Sequence, residues 1–226
     1  MEFSKETLKG LLSEVEALAF RAGEILQEYE KQILRLKVSS KESSGVVSEA
    51  DEASERFLIS QLEAINEKYQ MSSTFLAEED AYQRFGGHLD SQNSMGELTE
   101  HKPCWVIDPL DGTNNFLSGL NYYSICICLM DENEPLLGVV YRPSNQECYS
   151  AIKGLGSWFK YGCENSERKR LVMSDQNKPL KESLFATGFS SEKGDVFDRE
   201  VELFRQMTLK TRGIRRMGSA ALDLCY

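Results

Sequence analysis

The stretch that decides the fold is Trp105–Phe116, which reads W-V-I-D-P-L-D-G-T-N-N-F. Its first three residues form an apolar run that is typical of a buried strand. Asp108 precedes Pro109, and a residue in that position is biased towards extended backbone dihedrals. Pro109 itself lacks an N–H and cannot continue a central ladder. The stretch therefore predicts a strand that ends at Asp108, where the chain leaves the sheet.

A tight turn follows this strand. Asp111 stands three residues after Asp108, and Gly112 permits a close backbone approach or a positive φ. The residues 113–115 are Thr-Asn-Asn, which favour the start of a helix. Carboxylates and carbonyls are ligands for Mg²⁺, and helix N-termini bind phosphate. One turn that supplies both is what a metal-assisted phosphatase needs.

A second acidic segment lies upstream, where the predicted strand 74–77 runs into Glu78-Glu79-Asp80. Taken alone, such a run is typical of a solvated turn, and Asp108 and Asp111 alone could be turn and cap residues. If the two strands are neighbours, however, several carboxylates converge at one sheet edge. That arrangement is unfavourable without a cation, so the two segments together favour a metal site.

Composition narrows the classes of function. The chain has 226 residues, enough for one large domain or two small ones. A net charge of −10 and an isoelectric point near 4.9 argue against nucleic-acid binding. No apolar run is long enough for a membrane span, no signal peptide is visible, and the six cysteines form no C-x-x-C pair. We therefore expect a cytoplasmic protein with reduced core thiols.

Several catalytic classes are disfavoured by the motifs. The sequence has neither a G-x-S-x-G elbow nor a Walker loop. His88 and His101 are its two histidines, and both lie in the polar stretch 81–103. A Ser-His-Asp triad or a histidine-rich zinc site is therefore not expected.

Periodicity predicts the helices. Apolar residues at helical spacing predict an amphipathic helix over residues 8–29. Ser48 is typical of an N-cap, and Asp51 three residues later takes the capping-box position, so a second helix should begin there. This gives Asp51 a purely structural interpretation as well as a functional one. A helix over 196–209 is expected to turn three residues inward, namely Val201, Phe204 and Met207.

Strands are expected at 33–38, 74–77, 105–108, 122–130, 136–141, 147–151, 184–187 and around 214. The polar stretch 39–45, which contains Lys41, should be a loop, and the basic cluster 168–170 a solvated turn. A last helix should open at 218. This order of elements predicts layered sheets and helices, α+β in front and α/β behind.

Four segments of the sequence resemble the inositol monophosphatase family of magnesium-dependent, lithium-sensitive phosphatases. Trp105–Phe116 matches the first family signature at nearly every position, and A-E-E-D at 77–80 matches an upstream G-E-E segment with Ala77 in place of glycine. S-E-A-D at 48–51 matches the family's aspartate at a helix start, and G-I-R-R-M-G-S-A-A at 213–221 the substrate-side segment. The matches follow the family's order along the chain.

The resemblance implies a single domain with the layered αβαβα sugar-phosphatase-type fold. An N-terminal α+β half with the metal site would cover about residues 1–145, and an incomplete C-terminal α/β half residues 146–226. The family continues with a second signature, W-D-x-A-A-G, preceded by a glutamate, and the sequence reaches neither. From this we expect a fragment or a shortened member that binds the first Mg²⁺, turns over weakly or not at all, and is poorly soluble alone.

The resemblance also implies the metal ligands. Glu78, Asp108 and the carbonyl of Leu110 would bind one Mg²⁺, and Asp108 and Asp111 a second. Glu78, with Glu79 in an outer shell, would help to hold a third, weaker ion, which gives both glutamates a catalytic role.

The reaction and substrate residues follow from the same resemblance. Thr113 and Asp51 would orient and deprotonate the attacking water, and the N–H groups of Gly112 and Thr113 would hold the phosphate. The alcohol part of the substrate would contact Asp111, Gly218, Ser219 and Ala220. Lys41 is a weaker candidate, since a loop lysine is more often only solvated. The chemistry would be metal-assisted in-line displacement.

The expected function is Mg²⁺-dependent hydrolysis of a small phosphorylated polyol, foremost inositol monophosphate, by a protein that could form a homodimer. The alternative substrates are fructose 1,6-bisphosphate, 3′-phosphoadenosine 5′-phosphate and histidinol phosphate. An alternative of another class is a truncated, non-catalytic binding protein.

Overall fold

A computed structural model of the chain describes residues 3–41, 45–78, 102–132, 134–162, 166–173, 178–189 and 194–226. The helices in these ranges are α1 (Lys5–Glu30), α2 (Glu49–Tyr69), α3 (Thr113–Leu117), α4 (Asp195–Lys210) and α5 (Ala220–Cys225). Short 3₁₀ turns lie at Ile33–Arg35, Pro143–Asn145 and Leu180–Glu182.

The strands are β1 (Val38–Lys41), β2 (Gly45–Ser48), β3 (Thr74–Ala77), β4 (Cys104–Asp111), β5 (Ser124–Asp131), β6 (Glu134–Arg142), β7 (Glu147–Ile152), β8 (Gly156–Tyr161), β9 (Arg168–Leu171), β10 (Leu184–Ala186) and β11 (Gly213–Arg215). Strands β3 to β9 form one seven-stranded sheet in chain order. Its first pair, β3 and β4, is parallel, and every other neighbouring pair is antiparallel. Two small sheets accompany it, the antiparallel pair β1–β2 and the parallel pair β10–β11.

Helices α1 and α2 cover one face of the large sheet, and the core lies between them and the strands. Helix α1 is held there by an apolar stripe at helical spacing, as the sequence predicts. Trp105, at the centre of β4, is fully buried, and its indole N–H donates to Asn66 of α2 at 3.0 Å. Because a buried N–H without a partner is costly, this bond fixes α2 over β4.

The predicted capping box at the start of α2 is confirmed. The Ser48 hydroxyl accepts from the backbone N–H of Ala50 at 3.3 Å, and the Ser48 N–H donates to the Asp51 carboxylate at 2.9 Å. The box leaves Asp51 fully buried beneath β4. Asp51 is thereby placed where its second carboxylate oxygen can reach the acidic turn, which is residues 108–113.

Two local predictions were wrong near residue 35. The segment 33–38 is not a strand, since Ile33–Arg35 is a 3₁₀ turn and the extended segment begins at Val38. Instead of one loop over 39–45, β1 and β2 pair as a hairpin, with Val38 opposite Ser48. The pairing partner lies ten residues away in sequence and is invisible to a local pattern. Lys41 ends β1, and its side chain lies outside the described part of the structure.

Strand β4 does not end at Asp108. It continues through Pro109 to Asp111, with an irregular register between Asp108 and Asp111. Such an irregularity accommodates a residue that cannot donate to the ladder. The Pro109 carbonyl accepts from the Ser54 hydroxyl of α2 at 3.1 Å, so the bulge is tied to the helix.

The basic cluster 168–170 is not a solvated turn but strand β9 at the edge of the large sheet. Arg168 reaches α1, where its guanidinium donates to the buried Glu16 carboxylate at 2.9–3.1 Å. Lys160 of β8 lies 3.2 Å from the same carboxylate, and the Ser150 hydroxyl donates to it at 2.8 Å. This long-range ion cluster holds the cationic strand in place, since its own sequence offers little apolar surface to bury.

Helix α4 forms as predicted, but it buries none of its residues. Of the three residues predicted to turn inward, Phe204 and Met207 are half-buried and Val201 is 42% exposed, so that prediction was wrong for Val201. The predicted loop over 81–103 lies mostly outside the described residues. The five cysteines that are described are free thiols. Among the described residues, no helix has the length and apolar character needed to cross a membrane.

Candidate active site

The two acidic strand ends meet. Strands β3 and β4 are parallel neighbours with Ala77 opposite Ile107, so Glu78, directly after β3, is brought beside Asp108 within β4. The two carboxyls lie close enough to interact electrostatically. Burial, followed by the negative charges of Glu78 and Asp111, raises the pKa of Asp108 well above its usual range. The convergence of carboxylates predicted from the sequence is therefore present for Glu78 and Asp108, with Asp111 near enough to act on them electrostatically.

The turn after Asp108 is fixed by its own hydrogen bonds. The Leu110 N–H donates to the Asp108 carboxylate at 3.0 Å. The Thr113 hydroxyl lies 3.1 Å from the Leu110 carbonyl. Leu110 is buried, and its carbonyl lies beside the Thr113 hydroxyl.

Thr113 and Asp51 form the pair that the resemblance implies. The Thr113 hydroxyl donates to Asp51 at 2.9 Å, across 62 residues of sequence. The other oxygen of Asp51 accepts from the Ser48 N–H at 2.9 Å and from the Ser48 hydroxyl at 2.5 Å. Burial raises the pKa of Asp51, and the hydrogen bonds from Ser48 and Thr113 act in the opposite direction. The predicted contact is confirmed, while its role in activating water stays a prediction.

Asp111 binds the start of α5. It accepts from the Ser219 hydroxyl at 2.6 Å, from the Ala221 N–H at 2.9 Å and from the Ala220 N–H at 3.2 Å. The Ser124 hydroxyl adds a contact of 3.3 Å. The sequence places Asp111 among metal ligands and beside 218–220, and the structure brings it to that segment. Its favourable position at a helix start explains how the carboxylate is held.

The glycines at the two turns have no room for a side chain. Gly112 has φ +99°, and a Cβ there would lie 3.1 Å from the Tyr122 carbonyl and 3.2 Å from the Gly218 carbonyl. Gly218 has φ +89°. Both therefore require glycine conformationally, and their contact brings the acidic turn against the segment before α5.

Two residues of the site were not singled out from the sequence. Asn115 was predicted to lie at a helix start, and in the structure its amide donates to the carbonyls of Tyr122 and Met217, at 2.7 Å each. Ser124, which is fully buried, lies 3.2 Å from the Ser219 hydroxyl and contacts Asp111. A serine directly before an apolar run that predicts a strand is a sequence signal that could have drawn attention to Ser124.

The donor set suits a hard divalent cation. Glu78 and Asp108 are adjacent carboxyls, and the turn adds the Leu110 carbonyl as a third oxygen donor. Because two neighbouring carboxylates repel each other, a bound cation would stabilise them. Within the described residues, no group of three or more His, Cys, Asp or Glu side chains is gathered closely enough to hold an ion. The Asp111 oxygens are engaged by four donors, one on β5 and three at the start of α5. Glu79 lies outside the described residues.

Comparison with known proteins agrees with this fold. The profile of the inositol monophosphatase family matches residues 8–226, and the chain belongs to that family. It is 32% identical over 217 residues to the inositol-1-monophosphatase of Rhizobium meliloti, covering 96% of this chain and 72% of the relative. It is 30% identical over 208 residues to the Nus factor SuhB of Haemophilus influenzae, covering 92% of this chain and 68% of the relative.

Among solved structures, the extragenic suppressor protein suhB from Bartonella henselae has a TM-score of 0.72 and 30% sequence identity. That match covers 92% of this chain and 70% of the suhB chain. The chain therefore spans about two thirds of the length of these relatives. The mixed α/β architecture predicted from the sequence is confirmed.

Proposed function

We propose that the protein is a Mg²⁺-dependent phosphomonoesterase that acts on a small phosphorylated polyol. The observation that carries this proposal is the hydrogen bond from Thr113, which follows Asp108 after a short turn, to the buried Asp51 of α2. A buried carboxylate that accepts from a hydroxyl is placed to take up a proton through it. The neighbouring carboxyls supply the ligands that Mg²⁺ prefers.

The proposed ligands of the cation are Glu78, Asp108, the Leu110 carbonyl and Asp111, with Glu79 in an outer shell. When bound, Mg²⁺ lowers the pKa of the attacking water and neutralises charge on the attacking and leaving oxygens. Asp111 would have to release some of the donors at the start of α5 to join this set.

The chain's own residues position the reactants. Thr113 accepts a hydrogen bond from the attacking water while it donates to Asp51, and Asp51 takes up the proton that the water loses. The burial that raises the pKa of Asp51 makes it a stronger base than a solvated aspartate. The N–H groups of Gly112 and Thr113 orient the phosphate at the start of α3.

Inositol monophosphate is the proposed substrate. The support is the family itself and the name of the Rhizobium meliloti relative. The alcohol part would lie against Asp111 and the segment Gly218, Ser219 and Ala220, which hydrogen bonds join to the acidic turn. A homodimer, inhibition by lithium and a cytoplasmic location are further parts of the proposal.

The test is phosphate release from a panel of inositol, sugar and nucleotide phosphates, with Mg²⁺ and with a chelator. We expect slow, Mg²⁺-dependent release that is fastest with inositol monophosphate and is inhibited by lithium. Asp108→Asn should abolish it, whereas Asp131→Asn, at the far end of β5, should not. Release that is equal with Mg²⁺ and with the chelator, or absent with every ester, would contradict the proposal.

A further inference from the structure

The side chain of Asn115 joins three parts of the site. Its amide nitrogen donates one hydrogen bond to the Tyr122 carbonyl and one to the Met217 carbonyl, both at 2.7 Å. Met217 is 102 residues away in sequence, directly before the segment that opens α5. Both hydrogens of the amide are therefore used to hold the acidic turn, the start of β5 and the approach to α5 together.

The packing around the amide leaves little freedom. A Cβ on Gly218 would lie 3.0 Å from the amide nitrogen of Asn115 and 3.1 Å from its oxygen. A Cβ on Gly112 would meet the Tyr122 and Gly218 carbonyls at 3.1 and 3.2 Å. The two glycines thus bring the backbones close enough for one short side chain to bridge them.

The same two regions are joined at two further points. Asp111 accepts from the Ala220 and Ala221 N–H groups, at 3.2 and 2.9 Å. The Tyr122 hydroxyl donates to Asp223 at 3.0 Å. Asn115 holds the Met217 end of this segment, two residues before Ser219, whose hydroxyl donates to Asp111 at 2.6 Å.

We propose that Asn115 is a positioning residue that holds the segment 217–221 at the distance from the acidic turn at which it receives the alcohol part of the substrate. This rests on the proposed function, since it assigns a determinant of substrate affinity in the same site. The Thr113–Asp51 pair is held by hydrogen bonds that do not involve Asn115, so it should stay intact when Asn115 is changed. The inference therefore predicts a change in KM rather than in kcat.

Two variants test it, Asn115→Asp, which keeps the shape but cannot donate, and Asn115→Leu, which removes both polar groups. Asn114→Asp is the matched control, because Asn114 is the exposed neighbour in the same short helix and receives the same change of charge. We expect both Asn115 variants to raise KM by about tenfold or more with kcat within about threefold, the pattern of lost substrate binding. Asn114→Asp should leave both constants near those of the unchanged protein.

Hydrogen exchange supplies a readout that does not depend on turnover. The Ala220, Ala221 and Leu222 amides donate to Asp111 and Ser219, so they should be protected in the unchanged protein. They should exchange about tenfold faster or more in the Asn115 variants, while amides of β5 and β6 keep their protection and show that the fold is intact. If neither Asn115 variant folds, Tyr122→Phe, which removes the bond to Asp223, should show the same changes at smaller size.

Two results would overturn the inference. One is unchanged exchange at 220–222 in the variants, and the other is a fall in kcat at constant KM. If the unchanged protein hydrolyses no phosphate ester, the proposed function fails. In that case, faster exchange in the variants would still show that Asn115 holds the segment, and only its assignment to substrate affinity would be withdrawn.

Discussion

Thr113→Val removes one hydroxyl from the site and keeps the shape of the side chain. That hydroxyl donates to the fully buried Asp51 at 2.9 Å and lies 3.1 Å from the Leu110 carbonyl. Without it, Asp51 has no relay to the attacking water. General-base assistance contributes about 10²–10⁴-fold, so kcat should fall by that factor. At 1.36 kcal/mol per tenfold change, the loss corresponds to about 2.7–5.4 kcal/mol of activation free energy.

The same change should affect stability and metal binding much less. Asp51 keeps its two hydrogen bonds from Ser48, and the net contribution of the one that is lost is about 0.5–1.5 kcal/mol. Thr113 contributes no proposed ligand to the cation, so the Mg²⁺ concentration for half-maximal activity should stay within about threefold. The assay measures kcat and this midpoint, together with the free energy of unfolding in urea.

Ser54→Ala is the matched control for this experiment. Its hydroxyl, on α2, donates to the Pro109 carbonyl of the same turn at 3.1 Å, and Ser54 is fully buried. The loss of stability should be similar to that of Thr113→Val, with kcat near that of the unchanged protein. An unchanged kcat in Thr113→Val would refute the assignment of Thr113, as would an equal fall in both variants.

Two further predictions concern buried charges. Burial and the charges of Glu78 and Asp111 raise the pKa of Asp108, so its contribution to stability is full at low pH and is lost as pH rises through the raised pKa. Without Mg²⁺, Asp108→Asn should therefore be more stable than the unchanged protein at pH 8, with a smaller fall in unfolding free energy from pH 5 to pH 8. The same fall in unfolding free energy from pH 5 to pH 8 in both proteins, measured in urea, would contradict this. Glu16→Gln removes the buried negative charge that Lys160 and Arg168 contact, and should lower the free energy of unfolding by about 3–5 kcal/mol. Glu6→Gln is the control, because the Glu6 carboxylate is exposed and 3.7 Å from Lys9. It should change the free energy of unfolding by less than about 0.5 kcal/mol. Equal losses in the two variants would show that the Glu16 cluster does not stabilise the fold.

Local patterns predicted the elements that organise the site. The capping box at Ser48 and Asp51, the strand Thr74–Ala77 and the glycine at 112 each depend on neighbouring residues, and the structure contains all three. The side-by-side position of Glu78 and Asp108 required one further condition, that β3 and β4 be neighbours. The condition is met by their parallel register.

The features that sequence patterns missed depend on partners far along the chain. Strand β9 reads as a basic turn until Glu16, 152 residues from Arg168, is known to lie beneath it. The extension of β4 through Pro109 depends on pairing of Asp111 with Ser124 across an irregular register. Asn115 acquires its role only because Met217 is brought against it. Such contacts leave no periodic trace in the sequence.

Calorimetric titration of Mg²⁺ at pH 6 and pH 8 tests the central claim most directly, namely that Glu78 and Asp108 form a divalent-cation site beside the Thr113–Asp51 pair. Because Asp108 must lose its proton to become a ligand, the unchanged protein should bind more tightly at pH 8 and release protons at pH 6. Asp108→Asn should weaken binding by about tenfold or more at pH 8. Equal Mg²⁺ affinity in the unchanged protein and Asp108→Asn, or no binding at either pH, would contradict the account.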